Sequence, residues 1–335
     1  MSFPITFQKQ KIMRSVVRAL IPAFIGSIYF FGWVSAFTMA LSILTCVTTE
    51  WLFVRKTTGK VSEAVFVTAA LYALILPPTL PWPMIILGAV FGITFGKMAF
   101  GGFGANAFNP AMVGRAFIYI CFPIHMTNRW IPAAGFSDFP GGFLSWRFSI
   151  LGKGISSVTS ATVTHAAGAH AQGVPGFLQL FLGNINGQFE SMGQMTLIGG
   201  GSLGETSALL LMTGGLYLIL KKVANWRLVV GFFGTYLVFQ TVLHAFLPDQ
   251  VFNPVLALFS GGIVLGGFFM VTDPVSAPKT RPAQYIYAGL IAVLAILIRS
   301  FSLFAGGLMF AILLGNMFGP LMDHTVRQVQ KKGES

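Results

Sequence analysis

The sequence predicts an all-α, polytopic membrane protein of about ten transmembrane helices, with both termini cytoplasmic. Three observations predict it. Of 335 residues, 55% are hydrophobic and 9% charged, where a soluble domain carries about 25% charged residues. Apolar runs long enough to cross hydrocarbon, roughly 20 residues each, follow one another in both halves of the chain. The basic residues are gathered into short clusters between those runs. A mean hydropathy of +0.76 excludes a disordered chain.

The candidate spans lie near 16–34, 36–54, 63–80, 82–100, 107–123, 206–221, 226–246, 253–271, 283–299 and 303–322. The charges test this order. Lys9, Lys11, Arg14 and Arg18 precede the first span, and Arg55, Lys56 and Lys60 separate the second from the third. Lys97 ends the fourth, and Lys221, Lys222 and Arg227 fall between the sixth and seventh. Lys279 and Arg281 precede the ninth, and Arg327, Lys331 and Lys332 follow the tenth. With both ends in the cytoplasm, every cluster falls on the cytoplasmic side, as the positive-inside rule requires. The net charge of +12 therefore reads as topology and attraction to anionic lipid, not as a nucleic-acid surface. The N-terminus MSFPITFQKQKIMR has no cleavable signal pattern.

The chain divides into a first transmembrane half, 1–123, an outer-face segment, 124–205, and a second transmembrane half with a short cytoplasmic tail, 206–335. The middle segment is too polar to span and rich in Gly, Ser and Thr. A structureless loop of that length is unusual unless it carries function. The two halves echo each other. LYALIL, Trp82 and Phe108–Pro110 recur as LYLIL, Trp226 and Phe252–Pro254 at similar spacing. Copies three spans apart would run in opposite directions, the inverted repeat of many ion-handling membrane proteins; chance similarity between apolar runs is the alternative. The Gly- and Pro-broken stretch Gly101–Pro110 is notable because irregular backbone at membrane depth requires cover from protein or a cavity.

Only 9 acidic residues occur, so those near spans are informative. Glu50 ends the second span, Glu63 and Glu205 begin the third and sixth, and Asp273 and Asp323 close the eighth and tenth. Each is a candidate for an ion or proton route. The alternative for Glu63 and Glu205 is a carboxylate favoured by the dipole of a helix start. For Asp273, in a TDP sequence, a turn role competes and is preferred. His165 and His170 lie in a Gly/Ala stretch without metal or haem spacing, and Cys46 and Cys121 sit inside apolar runs. No nucleophile elbow, P-loop or dinucleotide fingerprint is present. Ser156–Thr164, SSVTSATVT, reads from composition as a polar loop whose hydroxyls can also bond a phosphate or accept a phosphoester.

Longer motifs carry a resemblance. Ile75–Pro83 (ILPPTLPWP), Phe100–Gly114 (FGGFGANAFNPAMVG), Phe122–Thr127, Thr159–Thr162 (TSAT), Gly201–Leu211 (GSLGETSALLL), Phe268–Pro278 (FFMVTDPVSAP) and Leu297–Phe301 (LIRSF) resemble, in order, the RnfD and NqrB membrane subunits of bacterial Rnf and Na⁺-translocating NADH:quinone oxidoreductase complexes. Phe122–Pro132 is more RnfD-like, whereas LGNINGQ and GRAF are more NqrB-like, and the missing N-terminal extension favours RnfD.

The resemblance implies FMN bound covalently through its phosphate to Thr162, the last residue of the TSAT motif, on the outer side of the membrane. Ser156 stands where the family usually has an acidic residue, and Ser160 where it has glycine. The resemblance further implies a non-covalent riboflavin, cation uptake through the acids matching Glu50, Asp273 and Asp323, the other subunits of an Rnf- or Nqr-type complex as partners, and a periplasmic flavin transferase for maturation in the bacterial inner membrane. Electrons would pass from a partner flavoprotein subunit through this chain, coupled to Na⁺ or H⁺ movement. The rival classes are a cofactor-free solute or ion transporter and a purely structural anchor for soluble redox partners.

Overall fold

The structure, a computed structural model, describes residues 6–127, 133–134, 141–144, 176–185, 188–191, 194–197, 201–248, 250–302 and 306–333. Thr162, with Ser156, Ser160, His165 and His170, lies outside the described residues.

The first described element is a short strand, β1 (Thr6–Gln8), which pairs in parallel with β2 (Lys60–Ser62) and ties the segment before the first helix to the loop after the second. Among the described residues five helical segments are long and apolar enough to cross a membrane: Lys11–Phe31, Val34–Val54, Trp82–Phe100, Trp226–Phe246 and Arg281–Phe301. The first two are α1 and α2. The third comprises α4 (Trp82–Gly96) and a 3₁₀ turn, Met98–Phe100. The last two are α9 and α12. Shorter apolar helices are α3 (Ala64–Leu74), α5 (Pro110–Cys121) and α8 (Ala208–Leu220). Between them lie α6 (Pro123–Thr127), α7 (Phe177–Leu182) and the hairpin of β3 (Gln188–Ser191) with β4 (Gln194–Leu197). The final helix, α13, runs Gly307–Gly333.

Two expected spans are not continuous. The third stops at Leu74, because Pro77 and Pro78 lack amide donors and bias the preceding residues away from helix. The eighth is divided into α10 (Pro254–Phe259), α11 (Ile263–Leu265) and a π-helical turn, Gly266–Met270. Gly261 and Gly262 make the break, with φ of 58° and 75°, the left-handed region that a side chain disfavours. The π turn is visible in the amide of Val271 donating to the carbonyl of Gly266 at 2.8 Å, one residue beyond the α pattern.

The echo read in sequence has a local structural counterpart. Trp82 and Trp226 each open a helix. Asn109 and Asn253 each cap one, accepting bonds from the amides two and three residues on, with a proline next. Proline suits that position because its missing amide would have had no partner there.

Packing follows small residues. Gly88, Gly92 and Gly96 form one stripe of α4. A methyl on Gly92 would sit 2.6 Å from the carbonyl of Pro110, and one on Gly114 2.5 Å from the carbonyl of Gly88. Backbone-to-backbone approach of this kind drives helix association where the solvent is itself apolar. α1 packs on α3 and α8, α9 on α12, and α12 on α13. Large apolar side chains face outward, including Leu44, Val238 and Phe246, as a lipid-facing surface requires. The thiols of Cys46, buried in α2, and Cys121, exposed at the end of α5, are both free.

Candidate functional site

Two cavities lie one above the other, each lined from both halves of the chain. The first is walled by Leu71, Lys97, Asn106, Asn109, Phe269 and Asp273, among others. The second is walled by Ile75, Met112, Arg115, Glu205, Met270 and Arg299, among others. Neighbouring residues divide between them: Leu71 and Ile75 are one helical turn apart, and Phe269 and Met270 are adjacent. The start of α5 and the π turn therefore form the floor shared by the two.

At the first cavity, Lys97 is the first residue beyond α4. Its ammonium lies 2.6 Å from Glu50 Oε2 and 2.6 Å from Ser62 Oγ. The other carboxylate oxygen, Oε1, accepts from the amide of Ser62 at 2.9 Å and from its hydroxyl at 2.7 Å. The side chains of Lys97 and Glu50 are 2% and 3% exposed, so each charge depends on the other. Burying one without a partner would be far costlier than burying both. The ring of Phe103 lies 5.9 Å from the ammonium, in the glycine-rich loop where Gly101, Gly102 and Gly104 take positive φ.

Asp273 lines the same cavity. Its Oδ1 accepts from the amide of Val275 at 3.1 Å and its Oδ2 from the hydroxyl of Ser276 at 3.0 Å. This is the turn geometry its sequence context favours. Both donors are neutral, and Asp273 forms no ion pair among the described residues. Below it, Asn316 bonds the amide of Asn109 at 3.1 Å and the hydroxyl of Tyr287 at 2.7 Å.

Asp323 lies apart from both cavities. It accepts from the amides of Lys279 and Thr280 at 2.8 and 2.9 Å and from the Thr280 hydroxyl at 2.7 Å. It thereby caps α12 from another helix. Partial burial pushes its carboxyl up, but these donors and Arg327 outweigh that and hold it below the usual carboxylate range. Glu63 is likewise engaged, taking Arg14 as a salt-bridge partner and the amide of Gln10 at 2.6 Å.

At the second cavity, Arg115 reaches Glu205 at 3.3 Å. Arg299 donates to the Tyr236 hydroxyl and to the carbonyl of Ser260, both at 3.1 Å. The Nε of Arg115 is buried without a hydrogen-bond partner among the described residues. Gly262 passes so close that a methyl there would sit 2.5 Å from Glu205 Oε1. The structure thus puts Asp273 and Lys97 on the wall of one cavity, sets Glu50 behind Lys97 as its ion-pair partner, and leaves Asp323 aside. Sequence reasoning assigned Lys97 to topology and passed over Arg115 and Arg299. An arginine inside an apolar run is itself a signal, because such a charge is expensive in hydrocarbon unless it serves a buried site. Among the described residues no group of three or more His, Cys, Asp and Glu side chains could hold a metal.

With this arrangement in hand, the comparison with known proteins is decisive. A model of the NQR2, RnfD, RnfE family matches residues 6–332. The chain belongs to this family. Among its relatives within the family, the D subunit of the ion-translocating oxidoreductase complex of Aeromonas hydrophila is 34% identical over 96% of this chain and 93% of its own length. The corresponding D subunit of Escherichia fergusonii is 30% identical over 96% and 93%. The B subunit of the Na(+)-translocating NADH-quinone reductase of Ectopseudomonas mendocina is 37% identical over 84% of this chain but 64% of its own. The D subunits match this family member nearly end to end.

Proposed function

We propose that this chain is the D-type membrane subunit of an ion-translocating oxidoreductase complex in the bacterial inner membrane, coupling electron passage through a covalently held FMN to Na⁺ or H⁺ movement. The observation that carries the reading is the pair of charged cavities stacked end to end and lined from both halves of the chain. Such a row of buried ionisable groups marks an ion route in a membrane protein. It sits in a family whose relatives are named for ion translocation and redox chemistry together.

Thr162 carries the FMN phosphoester in this proposal, with both termini cytoplasmic, ten spans, and the Lys97 cavity on the cytoplasmic side. The described flanks of the segment containing Thr162 support an outer-face position. A methyl on Gly142 would meet the carbonyl of Ile28 at 2.3 Å, and one on Gly183 the carbonyl of Thr206 at 2.9 Å. Both lie at the Arg115 end. FMN, when bound, supplies the electron chemistry. The chain's own part is to hold charge inside the membrane: Glu50 and Asp273 as stations for a cation, and Arg115 and Arg299 as fixed positive charge at the far end. A non-covalent riboflavin belongs to the same proposal, with no residue assigned to it. Other subunits supply the terminal donor and acceptor sites, and a periplasmic flavin transferase installs the FMN.

The test is direct. The chain is co-expressed with the flavin transferase of its host, denatured, and resolved on a gel. Fluorescence is expected at the mass of the chain and is lost in Thr162→Ala. A fluorescent band that survives the substitution refutes the attachment site.

A further inference from the structure

The Lys97 ammonium sits where a free cation would sit. Three oxygens converge on or beside it: both carboxylate oxygens of Glu50 and the hydroxyl of Ser62, with Nζ at 2.6 Å from Glu50 Oε2 and from Ser62 Oγ. Carboxylate and hydroxyl oxygens are the ligand types that hard, weakly polarisable cations take. We infer that Lys97 is a tethered cation filling a monovalent-cation site formed by Glu50 and Ser62, and that a transported cation of the Na⁺ class must displace it. This rests on the ion-translocation reading above, and adds the residue that determines when the site is open.

Burial gives the exchange its arithmetic. Lys97 and Glu50 are both buried, so neither charge can be left alone at this depth. If the ammonium leaves, one positive charge must replace it. The swap is therefore one for one, and it leaves the charge at Glu50 unchanged.

The displaced ammonium has a destination. Lys97 also lines the cavity that Asp273 faces. Asp273 is held by the Val275 amide and the Ser276 hydroxyl, with no cationic partner among the described residues. A lysine carries its compact charge on a flexible four-carbon stem, which a planar guanidinium cannot imitate. Lys97 is the first residue beyond α4, and Gly101, Gly102 and Gly104 follow in the left-handed region. A cation arriving at Glu50 releases the ammonium toward Asp273, and its departure returns it.

The experiment uses the purified complex and two variants, Lys97→Met and Glu50→Gln/Lys97→Met, melted in NaCl or choline chloride at equal ionic strength. Lys97→Met leaves the oxygens without their cation. Its melting temperature is expected to rise by several degrees in NaCl over choline, since an ion that binds only the folded state stabilises it. The native complex shows little such rise, and the double variant none. A Lys97→Met complex whose melting is the same in both salts overturns the inference. So does a Lys97→Met chain that fails to accumulate in cells at any NaCl concentration while the double variant accumulates. Accumulation of Lys97→Met only at high NaCl supports it. The underlying reading fails separately, if the native complex moves neither Na⁺ nor H⁺ during redox turnover.

Discussion

The two cavities are built from the same parts in opposite proportion. At the first, Lys97 and Asp273 line the wall and Glu50 stands behind Lys97, one lysine to two acids. Around the second, two arginines, Arg115 and Arg299, stand beside one acid, Glu205. The described residues therefore leave an excess negative charge at one end and an excess positive charge at the other. In a low-dielectric interior such fixed charges act at long range. On the ion-route proposal, that distribution favours a cation at the first cavity over one at the second. The pairs also differ in closure: Lys97 and Glu50 meet at 2.6 Å, whereas Arg115 and Glu205 meet at 3.3 Å, with one guanidinium nitrogen unpartnered among the described residues.

That contrast can be broken by substitution. The largest effect is expected at the acids of the first cavity. Glu50→Ala and Asp273→Ala should each reduce ion transport by the reconstituted complex to near background while covalent flavin per chain stays at the native level. Equal pumping in both variants would remove the first cavity from the ion route. Next comes stability. Glu50→Leu strands the buried ammonium and should cost about 3–5 kcal/mol, whereas Glu50→Leu/Lys97→Met should recover most of it, because a buried pair replaced by apolar side chains is often neutral. Denaturation of the detergent-solubilised chain measures both. Arg115→Leu should cost less, about 1–3 kcal/mol, because the 3.3 Å pair is looser, the Glu205 carboxylate keeps the Ser202 amide as a donor, and Arg299 lines the same cavity. A cost above that of Glu50→Leu would reverse the ranking of the two ends.

The smallest effect lies outside both cavities. Asp323→Ala removes the cap on α12 and should cost about 1 kcal/mol near neutral pH. The Asp323 carboxyl is held below its ordinary range in the folded chain. Its contribution is therefore complete above the unfolded-state value, near 4, and is lost as pH falls through the lower folded value. The gap between native and Asp323→Ala stability should close only below about pH 4. A gap that persists at the acid limit would assign the loss to something other than the charged cap.

The long helices were legible because their signal is additive. α1, α2, α9 and α12 follow runs of apolar side chains bounded by basic clusters, and hydropathy sums those directly. The broken elements were less so. The run 253–271 is as apolar as a full span, yet Gly261 and Gly262 divide it, and hydropathy does not register backbone conformation. The eleven-residue α3 was hidden in the same way by Leu76–Leu80, apolar in composition but proline-broken. Asn109 and Asn253 were visible as a repeated FNP motif, though not as caps. Within the candidate site, Glu50 and Asp273 stood out because acids are rare in this chain. Lys97 did not, because a lysine at a span end is what topology alone predicts. Its partner is 47 residues away, a pairing that only the packing of α2 against α4 creates.

The two thiols have a practical consequence. Cys46 is sealed inside the helical core, while Cys121 is exposed at the last turn of α5, on the side of the Arg115 cavity. Of the two free thiols only Cys121 is accessible in the isolated chain, and the proposed topology puts it at the outer face, with no engineered cysteine required. A membrane-impermeant maleimide added to intact spheroplasts should modify one position, and modification confined to inverted vesicles would turn the whole molecule over.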